Sequence, residues 1–253
     1  MRVTLLVMLI TLCVSFTSVR ATQQLDPYTV QGTLCRFPFA QVVPLSGEEG
    51  WGVIYANTIG NIHVLRYTDK GWKLDWKLTN LGAKIANFLI DDIEGDGVLE
   101  LIVATVNGQI VIYSMDTYDV LWENLENRFE KITTMVLADI DNDPQLEFII
   151  VADDRIHVMD GLNKSRQWIS SRRFQPREII VDNVDKDEQL EIILNTGIVI
   201  DSRFFNIEVE WDKPFGERIM TCDMNNDGIP EVIGEFSDYS LRIFDVYAER
   251  EVW

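Results

Sequence analysis

Asp92-Ile93-Glu94-Gly95-Asp96-Gly97-Val98-Leu99-Glu100 sets carboxylates at positions 1, 3, 5 and 9 of a nine-residue stretch and runs straight into Leu101-Ile102-Val103-Ala104. The pattern returns three times. Asp139 to Glu147 precedes Phe148-Ile149-Ile150-Val151, Asn183 to Glu191 precedes Ile192-Ile193-Leu194, and Asp223 to Glu231 precedes Val232-Ile233. Oxygen side chains at those positions, with a backbone carbonyl near position 7, are the six or so hard ligands that calcium takes at about 2.3–2.6 Å. The helix-loop-helix calcium hand starts in the same way but needs a bidentate Glu at position 12 and flanking helices. Here position 12 is Val103, Ile150, Leu194 or Gly234, and the flanks are β-branched apolar runs, so the loops are expected to join strands.

A second marker keeps the same period. Trp76, Trp122, Trp168, Trp211 and Trp253 recur every 42–46 residues, and the loops begin every 40–47 residues. A period in that range decides the architecture. Between one Trp and the next, Lys84 to Ile90 reads as a first strand, the acidic loop follows, and Leu101 to Thr105 is a second, almost wholly apolar strand. Asn107-Gly108 then signals a hairpin turn, Gln109 to Tyr113 is a third strand, and Tyr118 to Trp122 a fourth. Four short antiparallel strands per unit, repeated, describe a β-propeller blade.

The expected fold is an all-β propeller of five four-stranded blades, at about 36–78, 84–123, 131–169, 176–211 and 217–253. The first blade is degenerate: Val43 to Trp51 holds no acids in phase, whereas Gly52 to Ala56 and Asn61 to Leu65 align as strands. Both ends finish at blade boundaries. Residues 22–35 include Tyr28 to Leu34, a spare strand that can latch onto a sheet edge, where an unpaired strand would otherwise be sticky.

Forty-one acids against 22 bases give a formal charge of −19. Such a surface is poor for nucleic acid or anionic lipid, whose phosphates demand a basic patch. Met1-Arg2, the apolar run Val3 to Val14 and the small residues before Ala21 have the order of a secretory signal, with cleavage expected after Ala21 and a secreted, extracellular or periplasmic address. The run is shorter than the ~20 residues of a membrane span. Cleavage removes Cys13 and leaves Cys35 and Cys222, a pair that can bridge in an oxidising compartment, although their positions within the repeat differ. Extracellular calcium is plentiful enough to fill weak sites, with Kd of ~10⁻⁴–10⁻³ M.

Acidic loops followed by apolar strands resemble the FG-GAP or VCBS-type repeat, the calcium-loop blade of integrin α-subunit propellers and of many bacterial secreted proteins. The resemblance runs from about residue 36 to 253 and is specific in four of the five units. It implies Ca²⁺ held by Asp92, Glu94, Asp96 and Glu100; by Asp139, Asp141, Asp143 and Glu147; by Asn183, Asp185, Asp187 and Glu191; and by Asp223, Asn225, Asp227 and Glu231. The carbonyls of Val98, Gln145, Gln189 and Ile229 stand at position 7. Integrin propellers have seven blades, and the Phe-Gly and Gly-Ala-Pro signatures are absent here, so an integrin-like adhesion mechanism is not implied. Position 6 favours a residue able to take positive φ, which Gly97 and Gly228 do freely and Pro144 and Glu188 do not. The second and third sites are therefore expected to be weaker or differently shaped.

Other chemistry is sparse. His63 and His157 occupy one repeat-equivalent place in a third strand and read as scaffold, and no nucleophile elbow or zinc-type spacing appears. Paired acids can serve a glycosidase, but four equal copies argue for ligands. The repeated Trp residues read as blade core, while Trp51, Trp72, Tyr118, Phe204, Phe205 and Tyr239 are candidates for a contact surface. Arg172-Arg173 is a local basic spot suited to an acidic partner, and Asn163-Lys164-Ser165 is a glycosylation sequon. The expected function is non-catalytic recognition or adhesion toward an extracellular protein or glycan. The alternatives are a polysaccharide-lyase-like enzyme or lectin, and a self-associating filament or surface-layer subunit.

Overall fold

The computed structural model describes residues 40–45, 50–57, 60–78 and 81–253. The expected signal, the latch segment and Cys35 lie outside the described residues, and with them the Cys35–Cys222 pairing; Cys222 is exposed on a strand. The chain forms two compact units, divided between Gly82 and Ala83. Among the described residues no helix is long and apolar enough to cross a membrane.

The first unit holds one sheet, β1 (Ala40–Pro44), β2 (Trp51–Ala56), β3 (Ile62–Thr68) and β4 (Gly71–Leu78), paired in chain order. The second unit repeats this meander four times. Its sheets are β5 (Ile85–Asp91), β6 (Glu100–Thr105), β7 (Ile110–Ser114), β8 (Val120–Glu123); β9 (Ile132–Ala138), β10 (Glu147–Ala152), β11 (Arg155–Met159), β12 (Arg166–Ile169); β13 (Ile179–Asp182), β14 (Glu191–Leu194), β15 (Ile198–Asp201), β16 (Ile207–Glu210); and β17 (Arg218–Cys222), β18 (Glu231–Glu235), β19 (Leu241–Asp245), β20 (Arg250–Glu251). Every pairing is antiparallel, and the five sheets are the blades of a β-propeller fold.

The apolar runs become inner strands because both their faces are covered. All six residues of β6 and of β10, and all four of β14, are buried, so these strands lack the alternation that a half-solvated strand would show. In the second unit, β5, β9, β13 and β17 lie beside one another, which fans the four sheets about their first strands. A separate core fills each gap. Ile102, Ile112 and Trp122 of one blade meet Met135, Phe148 and Ile150 of the next. Val151, Val158 and Trp168 meet Ile192 and Ile200, and Val199 and Trp211 meet Val232 and Phe244.

The Trp residues follow a rule. In the second unit Trp122, Trp168 and Trp211 each pair with or follow the fourth strand beside a third-strand bulge and pack into the gap shared with the next blade, Trp122 opposite Ile112 and Trp168 opposite Val158. Trp211 stands edge-on to Phe244 of the following blade, with ring centroids 5.6 Å apart. Trp253 breaks the rule. At 71% exposure it is not blade core.

Candidate metal centre

The four acidic stretches are the β5–β6, β9–β10, β13–β14 and β17–β18 connections, as the sequence requires. Equivalent connections of successive blades bring them together at one end of the second unit. The Leu146 N–H donates to the Ile93 carbonyl at 3.0 Å, lacing the first loop to the second. The second and third border a cleft of about 490 Å³, and the third and fourth one of about 460 Å³.

Two hydrogen bonds recur in every loop. The acid at position 5 accepts the N–H of position 7: Val98 to Asp96 at 2.8 Å, Gln145 to Asp143 at 2.7 Å, Gln189 to Asp187 at 2.6 Å and Ile229 to Asp227 at 2.9 Å. The glutamate at position 9 is buried each time, and its Oε2 accepts the N–H of position 2, from Ile93, Ile140, Val184 and Met224 at 2.8–3.0 Å. Position 9 is thus a clasp that holds the loop's beginning to its end. Sequence reasoning assigned it only as a ligand, although its unbroken recurrence as Glu was the available signal.

The clasp leaves an oxygen over. Glu147 Oε1 and Glu191 Oε1 are buried with no hydrogen-bond partner, a condition that is costly unless something else supplies the interaction. Both glutamates belong to acidic groups: one carboxylate oxygen each of Asp139, Asp141 and Glu147 lie within 4.8 Å of one another, as do those of Asp185, Asp187 and Glu191, and either group could hold a metal ion. Burial and the neighbouring negative charges push the carboxyls of Glu100 and Glu147 up to about 7 and that of Glu191 to about 8. A cation among these oxygens would relieve that repulsion. The donors are all oxygen, with no His or Cys, a set suited to a hard cation.

The loops divide two and two. Gly97 and Gly228 adopt φ of 86° and 91°, and their N–H groups donate to Asp92 at 2.7 Å and Asp223 at 3.0 Å, wrapping each loop about its first acid. Pro144 has no N–H to give, and Asp139 accepts instead the Asn142 N–H at 2.8 Å, Asn142 standing at φ 62° just as Gly95 and Asn226 stand at 70° and 59° in the first and fourth loops. In the third, the Asn183 amide donates to the Asp187 carbonyl at 2.6 Å. The second and third loops thus bond their first residue differently from the first and fourth. Yet theirs are the carboxylates already drawn together, so a glycine at position 6 is not what gathers the acids. In the fourth loop the Asn225 amide bridges Glu231 at 2.6 Å and Asp227 at 3.1 Å, and Glu94 in the first reaches Lys164 at 3.4 Å. Glu208 of β16 was not foreseen: it shares a cleft of about 210 Å³ with Asp185 and Glu191, brought there by the fourth strand of the same blade.

Among the other candidates, Phe205 stacks on Trp168 at 4.4 Å and Tyr118 is a half-buried turn residue at φ 61°. Trp51, Trp72, Phe204 and Tyr239 are exposed. Arg172 is already paired with Glu210 at 2.6 Å. His157 is buried, with Nε2 3.2 Å from the Ala152 carbonyl, and His63 stacks on Tyr55 at 4.8 Å, each inside its own sheet.

Fold and loops together define a β-propeller repeat protein carrying an acidic rim. No protein family matches the chain by sequence, and no curated protein does. Solved structures do match in shape. BBS1N, solved in complex with ARL6DN, is 13% identical with a TM-score of 0.62 over 85% of this chain and 67% of its own. Sqt1 of Saccharomyces cerevisiae is 12% identical, with a TM-score of 0.60 over 84% of this chain and 61% of its own. The V. cholerae biofilm matrix protein Bap1 is 17% identical, with a TM-score of 0.58 over 81% of this chain and 35% of its own. The chain therefore spans between about a third and two thirds of these proteins, and the likeness is one of fold.

Proposed function

We propose that this protein is a secreted, calcium-binding β-propeller that recognises an extracellular protein or glycan and carries out no catalysis. The carrying observation is the buried, unpartnered Oε1 of Glu147 and of Glu191, each grouped with two aspartates. The all-oxygen donor set favours calcium, which accepts six to eight ligands in adaptable geometry, over magnesium, which keeps much of its water. The sequence resemblance to FG-GAP and VCBS-type repeats supports the same reading, as does the signal-like N-terminus. Calcium fixes the rim, and the rim and its clefts form the recognition surface. Propellers of this shape include one solved with a protein partner, which accords with a binding role.

Isothermal titration of the chelator-treated protein with calcium, alongside thermal melts with calcium and with chelator, tests the reading. Heat of binding and a raised midpoint are expected. No heat and no shift would remove calcium from the account.

A further inference from the structure

The third acidic loop is short of one acid. The first and second loops carry carboxylates at positions 1, 3, 5 and 9, whereas the third opens on Asn183. Asn183 brings no charge, and both polar atoms of its amide are engaged within the loop, Oδ1 accepting the Asp185 N–H at 3.2 Å and Nδ2 donating to the Asp187 carbonyl at 2.6 Å. The acids also gather differently. In the second loop the grouped carboxylates come from positions 1, 3 and 9, and in the third from positions 3, 5 and 9. The third group thus forms without the loop's first residue.

A further carboxylate reaches it from the outer strand of the same blade. Between β15 and β16 the register shifts: Val199 stands opposite Val209 and Ile200 opposite Ile207, so Glu208 is the extra residue of a β-bulge. A bulge re-aims its side chain out of the sheet's regular alternation. Glu208 lines the cleft of about 210 Å³ with Asp185 and Glu191, and Glu191 Oε1 is the buried oxygen that no donor of the protein satisfies. Partial loss of water, then the negative charges of Asp185, Asp201 and Asp187, raise the Glu208 carboxyl above its ordinary range. The other blades of the second unit place no acid at such a bulge. β8 has Leu121 there, β12 has Gln167, and β20 pairs with β19 without a shift. Gln167 lines a cleft with Asp141, position 3 of its own blade's loop, as Glu208 does with Asp185, so the blade's construction sets bulge residue and loop beside each other. In the first blade, which has no acidic loop, the bulge acid Asp75 is bonded to Arg66 at 3.0 Å. Within the second unit, the bulge acid occurs in a blade whose loop lacks its first acid.

We propose that Glu208 is the fourth carboxylate of the third cation site, supplying the charge that Asn183 does not, so that Asp185, Asp187, Glu191 and Glu208 together hold one calcium ion. Glu208 can act so only if calcium occupies the loops, as proposed above. The number of charged ligands tunes the affinity of a calcium site. With Glu208 the third site carries four carboxylates, as the first and second loops do, whereas the fourth, with Asn225 at position 3 and no bulge in β20, is left with three. The third site is therefore expected to bind more tightly than the fourth.

The test is isothermal titration of the chelator-treated full chain with calcium, in which Asp185→Asn marks the binding component that belongs to the third loop. Glu208→Gln, at an exposed position, should weaken that same component by about 10–100-fold and leave the others in place, and its melting midpoint in chelator should not fall. Glu208→Leu, which sets at this bulge the residue type that β8 carries at its own, should do the same. A wild type that binds calcium while neither Glu208 variant changes the third component overturns the role of Glu208 and leaves calcium in the loops. So does an isotherm that Asp185→Asn leaves unaltered, a loss shared evenly by every component, or one matched by a lower midpoint in chelator, the last two being marks of a structural residue. A wild type that takes up no calcium overturns the calcium reading and the role of Glu208 together.

Discussion

Replacing Glu147 by Gln separates the clasp from the cage. Glu147 is fully buried, and Gln keeps an oxygen to accept the Ile140 N–H, now at 3.0 Å, while removing the charge that faces Asp139 and Asp141. Without metal, burial and those aspartates hold the Glu147 carboxyl at about 7 rather than 4.5. At pH 8 its ionisation therefore opposes folding by an amount on the order of 3 kcal/mol, at about 1.4 kcal/mol per pH unit. The Gln variant escapes that penalty and in chelator should melt at or above the wild-type temperature. With calcium the order reverses. An ion at a hundredfold excess over Kd adds ~2.7 kcal/mol per site, and at roughly 2–4 °C per kcal/mol for a chain of this size the variant should lose about 5–10 °C of the calcium-induced shift. Differential scanning calorimetry of both proteins at pH 8, with calcium and with chelator, reads the two arms. A variant several degrees less stable in chelator, or one with an undiminished calcium shift, would refute the placement of a cation beside Glu147.

Proton and metal compete for the same oxygens, so pH should act oppositely on the two states. Glu100, Glu147 and Glu191 have folded values of about 7, 7 and 8, above the ordinary 4.5, so the metal-free fold holds more protons than the unfolded chain. The stability this lends is complete below about pH 4.5 and is lost as pH rises through 7 to 8; melts in chelator should decline across that window while the calcium-induced shift grows. A flat chelator profile would contradict the burial of these carboxylates. Asp227→Ala, at an exposed fourth-loop position, should leave the chelator melt nearly unchanged and reduce the calcium shift, and an unaltered shift would show that loop to be idle. Gly234→Ala would set a Cβ 1.7 Å from the Phe215 carbonyl oxygen in the gap between the last two blades; a loss of ~1–3 kcal/mol is expected, and an unchanged melt would mean that the strand can shift. Phe148→Ala, in the core shared by the second and third blades, should cost ~3–5 kcal/mol by denaturant titration.

Local pattern carried the strands and the loops. Apolar runs such as Leu101 to Thr105 are legible because a strand covered on both faces has no polar positions, and the acids two apart are legible because loop ligands must alternate. Period alone set the number of blades. The clasp at Glu100, Glu147, Glu191 and Glu231 was half visible, since a recurrent Glu announces itself but not the N–H that it accepts.

What the chain order does not contain is which surfaces end up covered. Trp211 and Trp253 occupy the same place in the repeat, yet Trp211 packs against Phe244 while Trp253 is exposed. Phe205 reads as an exposed aromatic until Trp168 is found stacked upon it, and Glu208 reaches the third loop from the fourth strand of its blade. By itself the sequence determined the strands, the loop chemistry and the repeat, because these rest on the spacing of neighbours along the chain. The tertiary structure alone decided which carboxylates converge and which oxygen is left without a partner, because burial is a property of neighbours in space.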